Sequence, residues 1–203
     1  MIRKPGLVLL GTLIFGILLS GCPKRVTRLP PIETPPVRNP VLLLLEKFSV
    51  VDNFQSRASI RLDTWRDGRE ISYLLNGAVL YEKPDKLRIM GYHPLGMGLF
   101  DALYRNGEFL LLSPFEKRAY AGQVSEFEDL IEKSGVQIST DKTGGSLVPD
   151  LIRIAVEQKE TRVAVRLKEI SINSSLPEDA FAWEVPQGVQ VIPLAEFLKR
   201  NPS

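Results

Sequence analysis

The side chains that most often carry enzyme chemistry are scarce in this chain. Cys22 is the only cysteine and His93 is the only histidine, so an internal disulfide and a metal site with two histidines are both impossible. The segment Gly96-Met97-Gly98 lacks the spacing and the lysine of a phosphate-binding loop, and no Gly-x-Ser-x-Gly nucleophile motif occurs. The sequence therefore predicts a protein without enzyme activity, without a cofactor and without a metal site.

The single thiol follows a segment that is typical of an export signal. Two basic residues precede an uncharged apolar run from Leu7 to Leu18, which is shorter than the roughly 20 residues of a membrane-spanning helix and fits a secretory signal peptide. The next four residues, Leu-Ser-Gly-Cys, resemble the lipobox of bacterial lipoproteins. That resemblance implies that residues 1–21 are a signal peptide and that acyl chains on Cys22 anchor the protein in a membrane. The alternatives are an ordinary cleaved signal or a weak anchor helix.

A proline-rich segment separates Cys22 from the rest of the chain. Six prolines in residues 23–40 exclude a helix or a central strand there. Residues 22–40 are therefore predicted to be the lipidated cysteine and an extended tether. Residues 41–203 have the length of one folded domain.

The charge balance indicates which partners are not expected. The chain has 26 basic and 24 acidic side chains. Removal of the signal peptide takes away Arg3 and Lys4 and no acid, which leaves 24 of each kind. A neutral mature protein has no broad electrostatic attraction to nucleic acid, so no nucleic-acid partner is predicted.

The pattern of apolar residues predicts a helix followed by many strands. Asn39 and Pro40 are typical of a helix start, and apolar residues recur at helical spacing from Val41 to Phe54. From Arg57 onward the apolar period is two, as in strands with one wet face. Predicted strands are 57–64, 71–81, 87–92, 99–105, 109–113, 117–120, 151–156, 161–172, 181–185 and 189–192, with further helices at 124–134 and 194–198.

Two turns and one irregularity in this pattern are specific enough to predict. Asp67-Gly68 and Asn106-Gly107 are hairpin signals. In the strand 161–172 the apolar parity slips near Lys168-Glu169, and a β-bulge there would restore the inward face. Consecutive hairpins interrupted by helices indicate an α+β domain with a mostly antiparallel sheet.

The segment that follows the third predicted strand combines apolar and turn-forming residues. Leu95 and Met97 alternate with Gly96 and Gly98 directly after Pro94, and glycine and proline favour a turn. Apolar side chains in a turn either pack into the core beneath it or stay exposed for binding. The turn Pro94–Met97 is therefore a candidate contact for a membrane or a cargo.

A family resemblance rests on this same segment. Residues 85–96 read Asp-x-x-Arg-Ile-Met-x-x-x-Pro-Leu-Gly, which resembles the LolB family of outer-membrane lipoproteins that receive other lipoproteins from the periplasmic carrier LolA. Residues 54–58 resemble the entry to the first strand of that family, and residues 181–189 resemble the closing strands of LolA-type domains. The resemblance runs through most of residues 41–195.

The resemblance implies a fold and a function. The implied fold is α+β, an incomplete and strongly curved antiparallel β-barrel with helices plugging the open side around a cavity for acyl chains. Neither catalysis nor a cofactor is implied, and Leu95 matches a protruding leucine that helps to deliver lipoproteins into the membrane. The candidate cavity lining is Leu44, Phe48, Tyr73, Leu75, Val79 and Ile89. Periodicity makes these residues inward-facing and is equally compatible with a packed core.

The expected function is therefore that of a membrane-anchored, lipid-binding lipoprotein. Its expected partners are the membrane, a periplasmic LolA-type carrier and the lipoprotein cargo of that carrier. Pro23 stands where an aspartate favours inner-membrane retention in some bacteria, which favours the periplasmic face of the outer membrane. The alternative is a scaffold lipoprotein of an envelope assembly complex, with a barrel filled by its own side chains.

Overall fold

The computed structural model describes residues 39–66, 68–125, 135–156, 160–194 and 196. The predicted signal peptide, Cys22 and the tether up to residue 38 lie outside the described residues, as do residues 126–134 of the second predicted helix. The helix α1 is Pro40–Phe48. The strands are β1 Asn53–Arg66, β2 Arg69–Glu82, β3 Lys86–Tyr92, β4 Gly98–Arg105, β5 Glu108–Ser113, β6 Arg118–Gln123, β7 Val136–Asp141, β8 Leu151–Val156, β9 Thr161–Ile172 and β10 Gln190–Pro193.

All ten strands belong to one sheet, in the order β10-β6-β5-β4-β3-β2-β1-β9-β8-β7. Every pair of neighbours is antiparallel except β10 and β6, which run parallel. The sheet is therefore mixed, with β10 at one edge and β7 at the other.

The predicted fold class is wrong. An α+β barrel with helices plugging its open side requires several helices and a sheet that approaches closure. The described residues contain one short helix, α1, whose first and last residues both lie within the described range. The two edge strands of the sheet do not pair with each other. Because hairpin signals report only on consecutive strands, they could not show how the whole sheet ends.

The helix α1 begins as predicted but ends earlier than predicted. The side-chain oxygen of the buried Asn39 accepts a 2.9 Å hydrogen bond from the amide of Val41, which is the capping bond expected of asparagine before Pro40. The helix stops at Phe48, and the hydroxyl of Ser49 donates to the carbonyl of Glu46 at 2.7 Å. The prediction to residue 54 was wrong because apolar spacing continued across a turn that leads into β1.

The predicted hairpin at Asn106-Gly107 and the predicted bulge are both confirmed, whereas Asp67 of the other predicted hairpin lies outside the described residues. Asn106 and Gly107 have φ angles of 49° and 79° and join β4 to β5, as a two-residue hairpin requires. The pairing of β1 with β9 shifts register between Gln55 and Arg57, opposite Glu169 with its φ of 53°. The bulge lets β9 keep its apolar residues on one face on both sides of the shift.

The last predicted strands are confirmed only in part. Residues 190–193 form β10, but residues 181–185 are not a strand. Residues 174–189 instead cross the outer face of the sheet, the face opposite α1, as an irregular segment called here the strap. Its Ala180 and Phe181 bury against Leu103 and Leu110, so their apolar character reflects packing rather than sheet pairing.

A cluster of hydrogen bonds holds the strap on the sheet. The guanidinium of Arg88 donates from Nε and Nη2 to the two carboxylate oxygens of Asp101, at 3.0 and 2.6 Å. Its Nη1 donates to the carbonyls of Ala180 at 2.8 Å and Ala182 at 3.2 Å. Arg105 Nη1 donates to the carbonyl of Phe181 at 3.0 Å, so two arginines of neighbouring strands fasten the strap.

Candidate functional site

An apolar cavity of about 250 Å³ lies between α1 and the inner face of the sheet. The helix and seven of the ten strands contribute to its wall. The lining residues are Val41, Leu44, Ile60, Leu87, Ile89, Phe100, Ala102, Tyr104, Phe109, Ile138, Ile154, Val163 and Val165.

Bending of the sheet brings distant strands to this cavity. Phe109 on β5 and Ile138 on β7 line it together, although six strands lie between theirs in the sheet. In a flat sheet these two strands would lie about 34 Å apart at the usual spacing between neighbours. The inner face is therefore concave, and both arms of the sheet enclose the same space.

Strand alternation explains which side chains reach the cavity. On β4, Phe100, Ala102 and Tyr104 face the cavity, whereas Leu103 between them is buried against the strap. Successive side chains of a strand point to opposite faces, so β4 supplies both the cavity and the outer packing layer.

Two glycines leave room for bulky lining residues. Gly77 and Gly91 are paired across β2 and β3. A Cβ on Gly91 would lie 2.1 Å from Cε1 of Phe100, and a Cβ on Gly77 would lie 2.7 Å from Cδ1 of Ile60. The ring of Phe100 therefore lies against the backbone of β3 at Gly91, in space that a side chain would otherwise take.

Among the described residues, none that lines the cavity carries a charge. Its one ionisable group is the phenol of Tyr104, and burial raises the pKa of that phenol, with a smaller contribution from the nearby carboxylate of Asp85. Tyr104 is therefore neutral at neutral pH. A neutral apolar wall favours hydrocarbon over polar ligands, because an unpaired polar group pays a desolvation cost on entering it.

The interior is filled beyond the C-terminal end of α1. The rings of Phe48, Phe54 and Tyr81 lie within 4.9 to 5.5 Å of one another, and all three side chains are buried. Val41 and Leu44, at the start of the same helix, face the cavity instead. The protein's own rings thus pack the interior beside Phe48, and the described residues leave a cavity beside Val41 and Leu44.

The predicted lining residues separate into three groups. Leu44 and Ile89 line the cavity. Phe48 and Val79 are buried in the packed core, and Leu75 is partly buried against that core. Tyr73 is half exposed and pairs with Leu62 nearer the tips of the hairpins.

Sequence reasoning missed most of the cavity wall. Phe100, Phe109, Ile138, Ile154 and Val163 all line it but were not predicted to do so. The alternation of inward and outward side chains within each strand indicates that these residues point to the inner face. No local signal shows that strands from both arms of the sheet meet at one cavity.

The turn Pro94–Met97 joins β3 to β4 and presents Leu95 to solvent. Leu95 is 87% exposed. The amide of His93 donates to the carbonyl of Met97 at 2.8 Å, and the amide of Gly96 donates to the carbonyl of His93 at 2.7 Å. Gly96 has a φ of 87°, which glycine adopts without strain. The turn is closed by its own backbone and holds its leucine outward.

A larger cleft of about 690 Å³ lies beside the strap. Its walls include the charged side chains of Glu82, Lys86, Arg105 and Glu108. Polar walls of this kind do not shield hydrocarbon, so this cleft is not the candidate site for an apolar ligand.

Metal ligation and membrane spanning can be judged for the part of the chain that the structure describes. Across the described residues, no group of three or more histidine, cysteine, aspartate or glutamate side chains is placed to hold a metal ion. Within that same part of the chain, no helix has the length and hydropathy that crossing a membrane requires.

Comparisons with known proteins give distant structural likenesses. No family model and no curated protein matches the sequence. Similar solved structures include a LolA superfamily protein from Nitrosomonas europaea, with 12% identity, a TM-score of 0.41, and coverage of 70% of this chain and 96% of that one. An uncharacterized conserved protein from Thermus thermophilus has 9% identity, a TM-score of 0.42, and coverage of 73% and 97%.

A third similar structure is a putative outer membrane lipoprotein-sorting protein domain from Vibrio parahaemolyticus. It has 10% identity and a TM-score of 0.37, and the match covers 70% of this chain and 95% of that one. LolA superfamily and lipoprotein-sorting proteins are thus among the structural neighbours. Identities this low assign no function, which must come from the site itself.

Proposed function

We propose that this protein binds acyl chains of lipids or lipoproteins in its apolar cavity and takes part in their localisation to the outer membrane, without catalysis. The observation that carries the proposal is a cavity of about 250 Å³ whose described lining residues are all uncharged. Each methylene buried there contributes about 0.8 kcal/mol of transfer free energy. Such contacts are non-directional, so cargo can also leave without breaking specific bonds.

The size of the cavity limits what it holds. Small-molecule pockets are typically about 300–1,000 Å³, so this cavity accommodates part of one acyl chain rather than a whole lipid. The inner face continues beyond it toward the hairpin tips, where Leu62 and Tyr73 are paired across β1 and β2. A longer chain would lie along this apolar row with its polar end in solvent.

The scaffold alternative draws on the packed part of the interior. The rings of Phe48, Phe54 and Tyr81 pack against one another there, as a purely structural domain would require throughout. The cavity distinguishes the two functions, because a scaffold has no use for an unfilled apolar cavity, which costs stability.

Displacement of an apolar fluorescent probe tests the proposal. The purified protein is expected to bind the probe saturably, and fatty acids are expected to displace it more strongly as the chain lengthens, up to a plateau. The plateau reports the number of methylenes that the cavity shields. An absence of saturable binding, together with an absence of co-purified lipid, would favour the scaffold alternative.

We also propose anchoring through Cys22, a residue outside the described part of the chain. Cys22→Ser is expected to abolish lipid labelling and to leave the signal peptide largely uncleaved by the lipoprotein signal peptidase, because the thiol is the acylation site. Metabolic labelling with a palmitate analogue and the mobility of the processed chain measure both effects. Normal processing and labelling of the variant would refute the lipobox assignment.

The turn Pro94–Met97 is proposed to contact the membrane or the cargo during transfer. Leu95→Glu is expected to change the free energy of unfolding by no more than about 0.5 kcal/mol, because the side chain is exposed. Lipoprotein transfer is expected to fall, since a charge replaces the apolar tip.

Thermal unfolding and a transfer assay separate these two effects of Leu95→Glu. A suitable control is Leu147→Glu, in the loop between β7 and β8 at the opposite end of the sheet, where Leu147 is also exposed. Strong destabilisation by Leu95→Glu, or full transfer activity with an intact fold, would contradict a role for this turn.

A further inference from the structure

A second turn presents a large apolar side chain next to Leu95. Residues 114–117 join β5 to β6, and Phe115 among them is 79% exposed. Because β4 and β5 are paired, this turn lies beside the turn Pro94–Met97. A Cβ on Gly98, the residue that follows Met97, would lie 3.9 Å from Cγ of Pro114, which places the two turns side by side.

Both turns are closed by their own backbone hydrogen bonds. The amide of Lys117 donates to the carbonyl of Pro114 at 3.2 Å, in the same way that the amide of Gly96 donates to the carbonyl of His93 in the neighbouring turn. What each offers to a partner is its side chains, Leu95 and Met97 on one and Phe115 on the other.

The surroundings of the two turns combine apolar, aromatic and basic side chains. On β2, which pairs with β3, Tyr73 and Leu74 are exposed at the level of the turn Pro94–Met97. Lys117 and Arg118 are exposed beside Phe115, and Arg118 lies 3.9 Å from the carboxylate of Glu116. We call Tyr73, Leu74, Leu95, Met97, Phe115 and Lys117 the turn patch.

We propose that the turn patch docks on a lipid bilayer and that the β5–β6 turn, through Phe115 and Lys117, is a second bilayer contact beside Leu95. Leucine and phenylalanine on separate protruding turns enter hydrocarbon individually, whereas a protein partner would need a matching pocket for each of them. Tyrosine and basic side chains favour the headgroup level. This inference goes beyond the proposed function, because it does not depend on what the cavity binds.

The turn patch lies close to the apolar cavity along the chain. Phe100 lines the cavity and follows Met97 by three residues on the same chain segment. The cavity and the turn patch are therefore separated by only the first residues of β4. An acyl chain that leaves the cavity at this end would pass directly into the bilayer on which the patch is docked.

Quenching of a tryptophan reporter by brominated lipids tests the proposal on the full, anchored chain. Phe115→Trp places the reporter in the turn patch, and Leu147→Trp places the matched control at the opposite end of the sheet. The vesicles contain phosphatidylethanolamine and phosphatidylglycerol with brominated acyl chains, and the signal of the unmodified protein is subtracted. Quenching of Phe115→Trp is expected to exceed that of Leu147→Trp roughly twofold or more.

Lys117 provides a second readout. Quenching at position 115 is expected to weaken when phosphatidylglycerol is replaced by a neutral lipid, and Lys117→Gln is expected to remove that dependence. Equal quenching at positions 115 and 147 would overturn the proposal and leave a protein as the partner of the patch. Probe binding in solution is a separate measurement, so loss of the cavity function and loss of docking are distinguishable.

Discussion

Gly91→Ala is expected to lower the affinity for an acyl probe roughly tenfold while the protein stays folded. The new methyl group would lie 2.1 Å from Cε1 of Phe100, so the ring must move away from β3 and into the cavity. Losing room for two methylenes costs about 1.6 kcal/mol of binding free energy, which corresponds to the tenfold loss. The overpacked site is also expected to lower the free energy of unfolding by about 1–3 kcal/mol.

Probe titration and thermal unfolding of the same preparation measure the two effects of Gly91→Ala. The matched control is Gly98→Ala on the neighbouring strand, where the nearest atom lies at an ordinary 3.9 Å and affinity is expected to be unchanged. Unchanged affinity in a folded Gly91→Ala protein would show that acyl chains bind elsewhere.

Arg88→Ala is expected to lower the free energy of unfolding strongly, because Arg88 joins two strands and the strap. Arg88 and Asp101 are only 18% and 16% exposed, and the guanidinium also bonds the strap carbonyls of Ala180 and Ala182. Its removal leaves a partly buried carboxylate and two carbonyls without their donor. The expected loss is about 2–4 kcal/mol, somewhat below the range for a fully buried pair.

Chemical denaturation and limited proteolysis measure the effect of Arg88→Ala. Cleavage is expected to begin within residues 174–189, because the strap loses its attachment first. Arg88→Lys is expected to recover little, since an ammonium cannot make the bidentate contact. Arg57→Ala, which breaks an exposed ion pair with Glu169, serves as the control and is expected to cost under about 1 kcal/mol. Equal losses for Arg57→Ala and Arg88→Ala would contradict the fastening role.

Local elements of this fold could be predicted because each follows from neighbouring residues. Asn39 before Pro40 predicted the helix start, Asn106-Gly107 predicted a hairpin, and the slip of parity at Lys168-Glu169 predicted a bulge that the structure contains. The strap could not be predicted in this way. Its apolar residues resemble a strand, and only its contacts with Arg88 and Arg105 reveal a different conformation.

The sequence predicted an apolar cavity, but it did not predict most of the residues that line it. Helical spacing indicated that Leu44 faces the sheet, and alternation indicated that Ile89 faces inward. Ile138 belongs to β7, which no pattern predicted, and it meets Phe109 only because the sheet bends across six intervening strands. Long-range curvature of this kind is set by the whole sheet and has no local sequence signal.

Photo-crosslinking with a fatty acid that carries a diazirine at the end of its chain tests acyl-chain binding most directly. The reactive group should label the cavity wall, with mass spectrometry locating adducts on Phe100, Ile154 or Val163. Unlabelled fatty acid should compete with this labelling, and Gly91→Ala should reduce it. Labelling confined to the exposed turn patch, or labelling that unlabelled fatty acid does not reduce, would contradict binding of acyl chains in the cavity.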